Sequence, residues 1–230
     1  MKYTIINFLF VSLLANVITA QSPEWTKNEA QAALIALSHG YGGHTIMPDH
    51  PKRKNFISQF FVSQNNSLRM FKEYIEKAGL EISEFKFEKS DSNDISNVFV
   101  YSETYAPLFN SYYNFSKDSE IWPDPELDDE EFLLYGGRFN MKKFSTKREK
   151  LAFLYAAYVK DGRPNTMSDN HAYQYALANG GDKLMAIQKF LIDTGSKLGA
   201  SCTYNDRTPV GSFLEFTPSP ELKSLLDSIK

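Results

Sequence analysis

Apolar residues recur at helical spacing near the start of the chain. Within residues 26–38, alanines and leucines follow the three-to-four-residue period of one helix face. Thr26 and Glu29 have the spacing of a capping box, in which a hydroxyl and a carboxylate each accept a backbone N–H of the first turn. The pattern therefore predicts a helix from Thr26 to about Ser38, ended by the glycines that follow.

The rest of the first half predicts two more helices and a pair of strands. Residues 52–62 have a weak helical pattern, whereas residues 67–78 have the pattern of a clear amphipathic helix that ends at Gly79. Apolar and polar residues then alternate over 80–88 and again over 97–103, as in strands with one buried face. The turn-forming residues between these two segments predict a β-hairpin.

The second half predicts elements in the same order. A long apolar helix over 145–162 has its own capping box in Thr146 and Glu149. Shorter helices are predicted over 170–178 and 182–194, followed by two strands and a last helix with proline in its first turn. Each half would thus run helix, helix, helix, strand, strand, helix.

The two halves also match residue by residue. Comparing 26–50 with 146–170 without gaps gives nine identities in 25 positions, where unrelated stretches would give roughly one or two. The identical pairs are Thr26/Thr146, Lys27/Lys147, Glu29/Glu149, Ala32/Ala152, Leu34/Leu154, Ala36/Ala156, Gly42/Gly162, Met47/Met167 and Asp49/Asp169. The match indicates an internal duplication, and the alternative is two helices that share common residue types.

We therefore expect an α+β protein of two tandem similar subdomains, each helix-helix-helix-hairpin-helix. The predicted organisation is a signal peptide over 1–20, a first copy over 22–115, an acidic linker over 116–140 and a second copy over 141–230. The acidic run at 124–131 lacks the spaced ligands and the glycine bend of a calcium loop. It is therefore interpreted as a solvated linker or the acidic start of a helix.

The N-terminus and the charge suggest where the protein acts. The first twenty residues have a lysine, a short apolar run and small residues at the end, which is the layout of a secretory signal. They predict an exported protein, periplasmic or extracellular, with no membrane insertion after cleavage. The formal net charge of −3 lacks the basic footprint of nucleic-acid binding, so no nucleic-acid partner is expected. Cys202, the single cysteine, is predicted to be a buried thiol without a disulfide.

Three of the four histidines lie in one glycine-rich stretch. His39, His44 and His50, with Asp49, are candidate ligands for a zinc ion, although their spacing is not a familiar ligand pattern. The matching positions of the second half carry no histidine, whereas Gly42 and Asp49 do recur there. We therefore interpret the stretch as a helix stop with a left-handed glycine, followed by an N-cap aspartate. No cofactor is expected unless these histidines bind zinc.

The sequence has no nucleophile elbow, P-loop or His-Glu-x-x-His motif. Two similar copies would form a cleft or a two-sided surface, to which the aromatic segments at 103–115 and 171–176 could contribute contacts. The preferred hypothesis is an exported non-catalytic binding protein, of inhibitor or immunity type or a surface-polymer binder. Its partner would be a protein or a cell-envelope polymer. The alternative is a cell-envelope hydrolase that uses a metal held by the histidine stretch. Three helices and a hairpin also describe a winged helix, but export and net acidity argue against a DNA-binding role.

Overall fold

The structure, a computed structural model, describes residues 23–40, 43–89, 97–124, 130–164, 173–206 and 210–229. The helices are α1 (Lys27–Ser38), α2 (Asn65–Lys77), α3 (Ala106–Asn110), α4 (Lys147–Asp161), α5 (Gly181–Asp193) and α6 (Pro220–Leu226). The strands are β1 (His44–Ile46), β2 (Phe56–Phe61), β3 (Lys86–Lys89), β4 (Asn97–Tyr101), β5 (Tyr113–Asp124), β6 (Glu130–Phe139), β7 (Gly162–Pro164), β8 (Tyr173–Ala178), β9 (Lys197–Tyr204) and β10 (Gly211–Thr217). Within these ranges, no helix is long and apolar enough to cross a membrane.

Helices combine with antiparallel sheets, so the predicted α+β class is confirmed. The finer pattern of three helices, a hairpin and a helix is wrong, because each half runs helix, strand, strand, helix, strand, strand, helix. Residues 52–62 form a short 3₁₀ turn and β2, and β8 replaces most of the helix predicted over 170–178. The reason is that aromatic and β-branched residues such as Phe56, Ile57 and Phe60 favour a pleated surface when a neighbouring strand is present.

Helices α1 and α4 pack side by side at the centre of the fold. Their alanines and leucines are buried on every side, which is typical of a helix enclosed by protein rather than one on the surface. Both predicted capping boxes are present. Arg148 at the start of α4 contacts Glu29 at the start of α1, and Lys160 near the end of α4 contacts Leu37 near the end of α1. The two helices therefore run in the same direction, with both C-terminal ends at one place.

Removing the first capping glutamate is expected to destabilise the fold more than removing the second. Glu29 accepts the backbone N–H of Thr26 and also binds Arg148 of the other helix at 2.7 Å. Glu149 makes the matching cap, and no arginine of the described ranges forms a salt bridge with it. Chemical denaturation of Glu29→Ala should show a loss that exceeds that of Glu149→Ala by about 1 kcal/mol, the value of a half-exposed ion pair. In an Arg148→Ala background, Glu29→Ala and Glu149→Ala should destabilise the protein equally. Equal losses of stability in the protein that retains Arg148 would contradict this account.

Each half places an antiparallel sheet against the helices. The second half has the strand order β7-β8-β10-β9, and the first half has β2-β4-β3 with β1 paired to β6 instead. Tyr175, Leu214 and Phe216 point toward the helices and are fully buried, whereas alternate residues of the same strands lie on the opposite face. Both sheets therefore keep one face free of the helical layer.

Residues 116–140, predicted to be an acidic linker, instead form most of a β-hairpin. Strands β5 and β6 pair antiparallel, and the turn between them lies outside the described residues. β6 also pairs with β1, and Gly137 permits this approach because a Cβ there would lie 2.9 Å from the carbonyl oxygen of His44. Phe132 and Phe139 of β6 are buried. Burial of these rings explains why a segment that begins with acids becomes part of a sheet.

Candidate functional site

The C-terminal end of α1 is covered by the side chain of Lys160. Its Nζ donates hydrogen bonds to the carbonyl oxygens of Leu37 at 2.6 Å and His39 at 3.0 Å. The last carbonyls of a helix have no partner within the helix, and the helix dipole places partial negative charge on them. An ammonium group is therefore a favourable cap at this position, supplied here by the neighbouring central helix.

A second ammonium lies beside the first. Lys183, in the first turn of α5, is 2% exposed, and its Nζ donates to the carbonyl oxygen of Ala36 at 2.8 Å. The same Nζ donates to Oδ2 of Asp161, the last residue of α4, at 2.6 Å. Two helix ends and the start of a third helix thus bring two ammonium groups and one carboxylate together.

A pocket of about 330 Å³ opens beside this cluster. It is lined by Lys160, Asp161 and Lys183, and also by His39 and Gln64. Burial and the Lys183 ammonium together lower the pKa of Lys160 to about 7, although the Asp161 carboxylate acts in the opposite direction. Below pH 7, where Lys160 is mostly protonated, the two lysines and Asp161 carry one net positive charge. The site therefore favours an anionic ligand over a cationic one.

The histidines that were candidate zinc ligands each have a different environment. His39 is buried with its Nδ1 at 3.3 Å from the hydroxyl of Tyr113, and its ring stacks on Phe139. His44 is also buried, and its Nε2 lies 2.8 Å from Oδ1 of Asn110. Burial lowers the pKa of His44 to about 4 and that of His39 well below its ordinary range. Both rings are therefore neutral at pH 7, and they serve the packing of the hairpin against α1.

His50 has a local structural role. Its Nδ1 accepts the backbone N–H groups of Lys52 at 3.0 Å and Arg53 at 2.9 Å, which caps the 3₁₀ turn Arg53–Asn55. The predicted N-cap role of Asp49 is wrong: its side chain is exposed, no α-helix begins there, and the imidazole next to it caps the turn.

The recurring glycine also differs from the prediction. Gly162 has a φ of −86°, so it is not in the left-handed region. Glycine is required there for space, because a Cβ would lie 2.5 Å from the carbonyl oxygen of Tyr158. Gly42, Asp169 and the signal peptide predicted over 1–20 lie outside the described residues.

The free faces of the two sheets carry polar and aromatic side chains. In the second sheet, Nε of Arg163 donates to Oε1 of Gln174 at 2.9 Å, and the guanidinium lies 4.8 Å from the centre of the Phe213 ring. The ring of Tyr204 packs edge-on against Phe213. Cys202, predicted to be buried, is exposed because it lies on the edge strand β9 opposite Phe213.

The first sheet repeats this arrangement in outline. Gln59 of β2, Phe99 of β4 and Glu88 of β3 lie side by side across the sheet. All three are partly exposed. A guanidinium, amides and aromatic rings on open sheets can contact a large, flat or grooved partner.

Sequence reasoning missed the residues of the helix-end cluster. A weak signal was present, because Lys160 and Asp161 directly follow a run of nine apolar residues over 151–159 and Lys183 precedes another apolar run. The lysines reach carbonyl groups more than 120 positions away in the chain. Only the packing of α1 against α4 and α5 brings these groups together.

No family model and no curated protein sequence matches this chain. Solved structures do share its fold. A mesophilic variant of the homing endonuclease I-DmoI aligns with a TM-score of 0.51, covering 88% of this chain and 96% of that chain at 12% identity. I-DmoI in complex with DNA and Mn aligns with a TM-score of 0.50, covering 89% and 97% at 13% identity. The N-terminal LAGLIDADG domain of DUF199/WhiA aligns with a TM-score of 0.47, covering 91% and 85% at 14% identity.

The metal that accompanies I-DmoI in that complex does not fit the helix-end cluster of this chain. Metal-assisted cleavage of a phosphodiester needs oxygen ligands that converge on the ion. Asp161 is the single carboxylate in the cluster, and it is already bound to the Lys183 ammonium, which would repel a divalent cation. Across the part of the chain that the structure describes, no group of three or more His, Cys, Asp or Glu could hold a metal.

The likeness corrects several predictions made from the sequence. Fold neighbours that include an endonuclease solved with DNA contradict the prediction of an exported non-catalytic protein and the exclusion of a nucleic-acid partner. They also contradict the rival hypothesis of an envelope hydrolase and the predicted periplasmic or extracellular location. Those predictions relied on an apolar N-terminus and a net charge of −3, and neither property depends on the fold. The fold of this chain is similar to that of the homing endonuclease I-DmoI.

Proposed function

We propose that this chain binds double-stranded DNA through the free faces of its two sheets. The observation that carries the proposal is the pair of open sheets on parallel central helices, with Arg163, Gln174 and Phe213 on one free face. An antiparallel sheet can enter a DNA groove, where guanidinium and amide groups read base edges and phosphates. The fold neighbour solved with DNA supports this proposal by analogy of fold.

We also infer that the chain is a tandem duplication, with one copy within 22–115 and the other within 141–230. The nine sequence identities and the repeated order of helices and strands support this inference. Two copies related by approximate two-fold symmetry would place two similar sheet faces along one duplex. Such a protein would contact two similar half-sites.

Local charge rather than net charge has to supply the phosphate contacts. The chain carries −3 overall, so long-range attraction to DNA is weak. Exposed basic residues nevertheless lie on the sheets, among them Lys86, Arg163 and Lys197. We therefore expect binding that depends on a small number of phosphate contacts and has a shallow dependence on salt.

The test is DNA binding by a variant of the second sheet. The double change Arg163→Ala and Gln174→Ala should weaken binding to a fluorescent duplex about tenfold, because it removes a charged and a polar contact. Fluorescence anisotropy at two or more salt concentrations measures both the affinity and the number of phosphate contacts. The slope of log affinity against log salt concentration should become less steep by about 0.9, because the phosphate contact that Arg163 makes is lost.

The matched control is Lys189→Ala, which removes a basic residue of α5 that is 56% exposed and lies off the sheets. The affinity of this variant should equal that of the native protein. The proposal fails if the native protein binds no member of a random duplex library. It also fails if Lys189→Ala weakens binding as much as the sheet variant does.

A further inference from the structure

The helix-end cluster has donor capacity that the protein does not use. An ammonium group has three N–H donors. Lys160 directs two hydrogen bonds at carbonyl oxygens, and Lys183 directs one at a carbonyl oxygen and one at Asp161. Within the described ranges, no carboxylate forms a salt bridge with Lys160. Each ammonium therefore retains a donor, and the positive charge of Lys160 lacks a full counter-charge.

A buried nitrogen at the same pocket also has no partner. His39 is 2% exposed, and its Nε2 makes no hydrogen bond with any part of the chain that the structure describes. His39 is one of the residues that line the pocket, together with the two lysines and Gln64. A buried polar atom without a partner carries a desolvation cost that a bound ligand would remove. This atom is independent of the lysines, and it points to a ligand with hydrogen-bonding oxygens.

We propose that this pocket binds a tetrahedral oxyanion, either inorganic phosphate or a phosphodiester group of DNA, between Lys160, Lys183 and His39. The oxygens of the anion would accept the remaining N–H of each lysine and an N–H from the imidazole. The resident ammonium groups take the place that a divalent cation would need, so binding requires no metal. The phosphodiester source depends on the proposed DNA binding, whereas the inorganic phosphate source does not.

A purely structural role for the lysines makes different predictions. If they only cap α1, phosphate should stabilise the protein only through the general effect of an excluded salt, which does not saturate. Asp161→Asn would then weaken the cluster without changing its response to anions. If the pocket binds an oxyanion, Asp161→Asn removes the competing negative charge, and it should raise phosphate affinity.

The experiment measures phosphate binding by the full chain in the presence of a chelator. Calorimetry should show saturable phosphate binding with a dissociation constant, and the melting temperature should rise and level off over the same phosphate concentrations, unlike the general effect of an excluded salt, which does not saturate. Lys160→Met and Lys183→Met should each weaken phosphate binding about tenfold, the typical effect of losing one charged hydrogen bond. Lys189→Met, on the exposed side of α5, is the control and should bind phosphate normally.

A DNA-binding measurement distinguishes between a phosphodiester group of DNA and inorganic phosphate as the bound anion. If the pocket receives a phosphodiester, Lys160→Met should also weaken duplex binding in chelator, and inorganic phosphate should compete with DNA. If it receives only free phosphate, duplex binding by Lys160→Met should be normal. The proposal is overturned if calorimetry detects no saturable phosphate binding by the native protein or by Asp161→Asn. That measurement needs no lysine variant to fold and no DNA to bind, so its failure is distinct from failure of the proposed function.

Discussion

Asp161→Ala is expected to lower the free energy of unfolding by about 3 kcal/mol, the lower end of the range for breaking a buried ion pair. The change leaves the Lys183 ammonium, which is 2% exposed, with the carbonyl oxygen of Ala36 as its described protein partner. Asp161 itself is 17% exposed. Water can therefore reach the gap through the pocket, and this keeps the loss from being larger. Urea denaturation of the purified variant and of the native protein measures this loss in the free energy of unfolding.

A double-mutant cycle separates the ion pair from the rest of the site. Lys183→Met removes the buried charge and keeps most of the apolar stem, so Asp161→Ala should cost less in that background than in the native protein. The control is Glu88→Gln, whose partner Lys52 is 50% exposed, and its loss should stay below about 1 kcal/mol. Additive losses in the cycle would mean that Asp161 and Lys183 do not stabilise each other.

Features encoded by neighbouring residues could be predicted from the sequence. Both capping boxes, the central helices and the two hairpins β3-β4 and β9-β10 follow from patterns within about twenty residues. Thr26 and Glu29 specify their helix start through contacts with their own first turn. Such contacts form in the same way whatever the rest of the chain does.

Features that depend on distant partners could not be predicted in this way. Strand β2 has a sequence that suits either a weak helix or a strand, and the choice is made by pairing with β4, about forty residues later. Residues 116–140 looked like a linker because the buried residues of β6, such as Phe139, follow the acidic run and pack only once β1 and α4 are in place. The lysine cluster at the helix ends has the same origin, since Lys160 and Lys183 reach α1 only in the folded chain.

The free energy of unfolding is expected to fall by about 2 kcal/mol between pH 7 and pH 5 through His44 alone. Burial lowers the pKa of His44 from 6.5 to about 4 in the folded protein. Between these values the unfolded chain binds a proton that the folded protein does not, so stability decreases as the pH falls. His39 acts in the same direction, because burial and the charges of Lys183, His44 and Lys160 hold its pKa well below the ordinary range.

Urea denaturation of His44→Gln at the same two pH values measures the contribution of this ring. The glutamine amide can still donate to Oδ1 of Asn110, so most of the native contact at 2.8 Å is kept while the titrating group is removed. The loss between pH 7 and pH 5 should be smaller in this variant by about 2 kcal/mol. Carboxylates with lowered pKa values, such as Glu29 and Asp193, lose their contribution mainly nearer pH 4, so they add little in this window. If the native protein and the variant lost equal stability between pH 7 and pH 5, His44 would take up its proton as readily in the folded protein as in the unfolded chain.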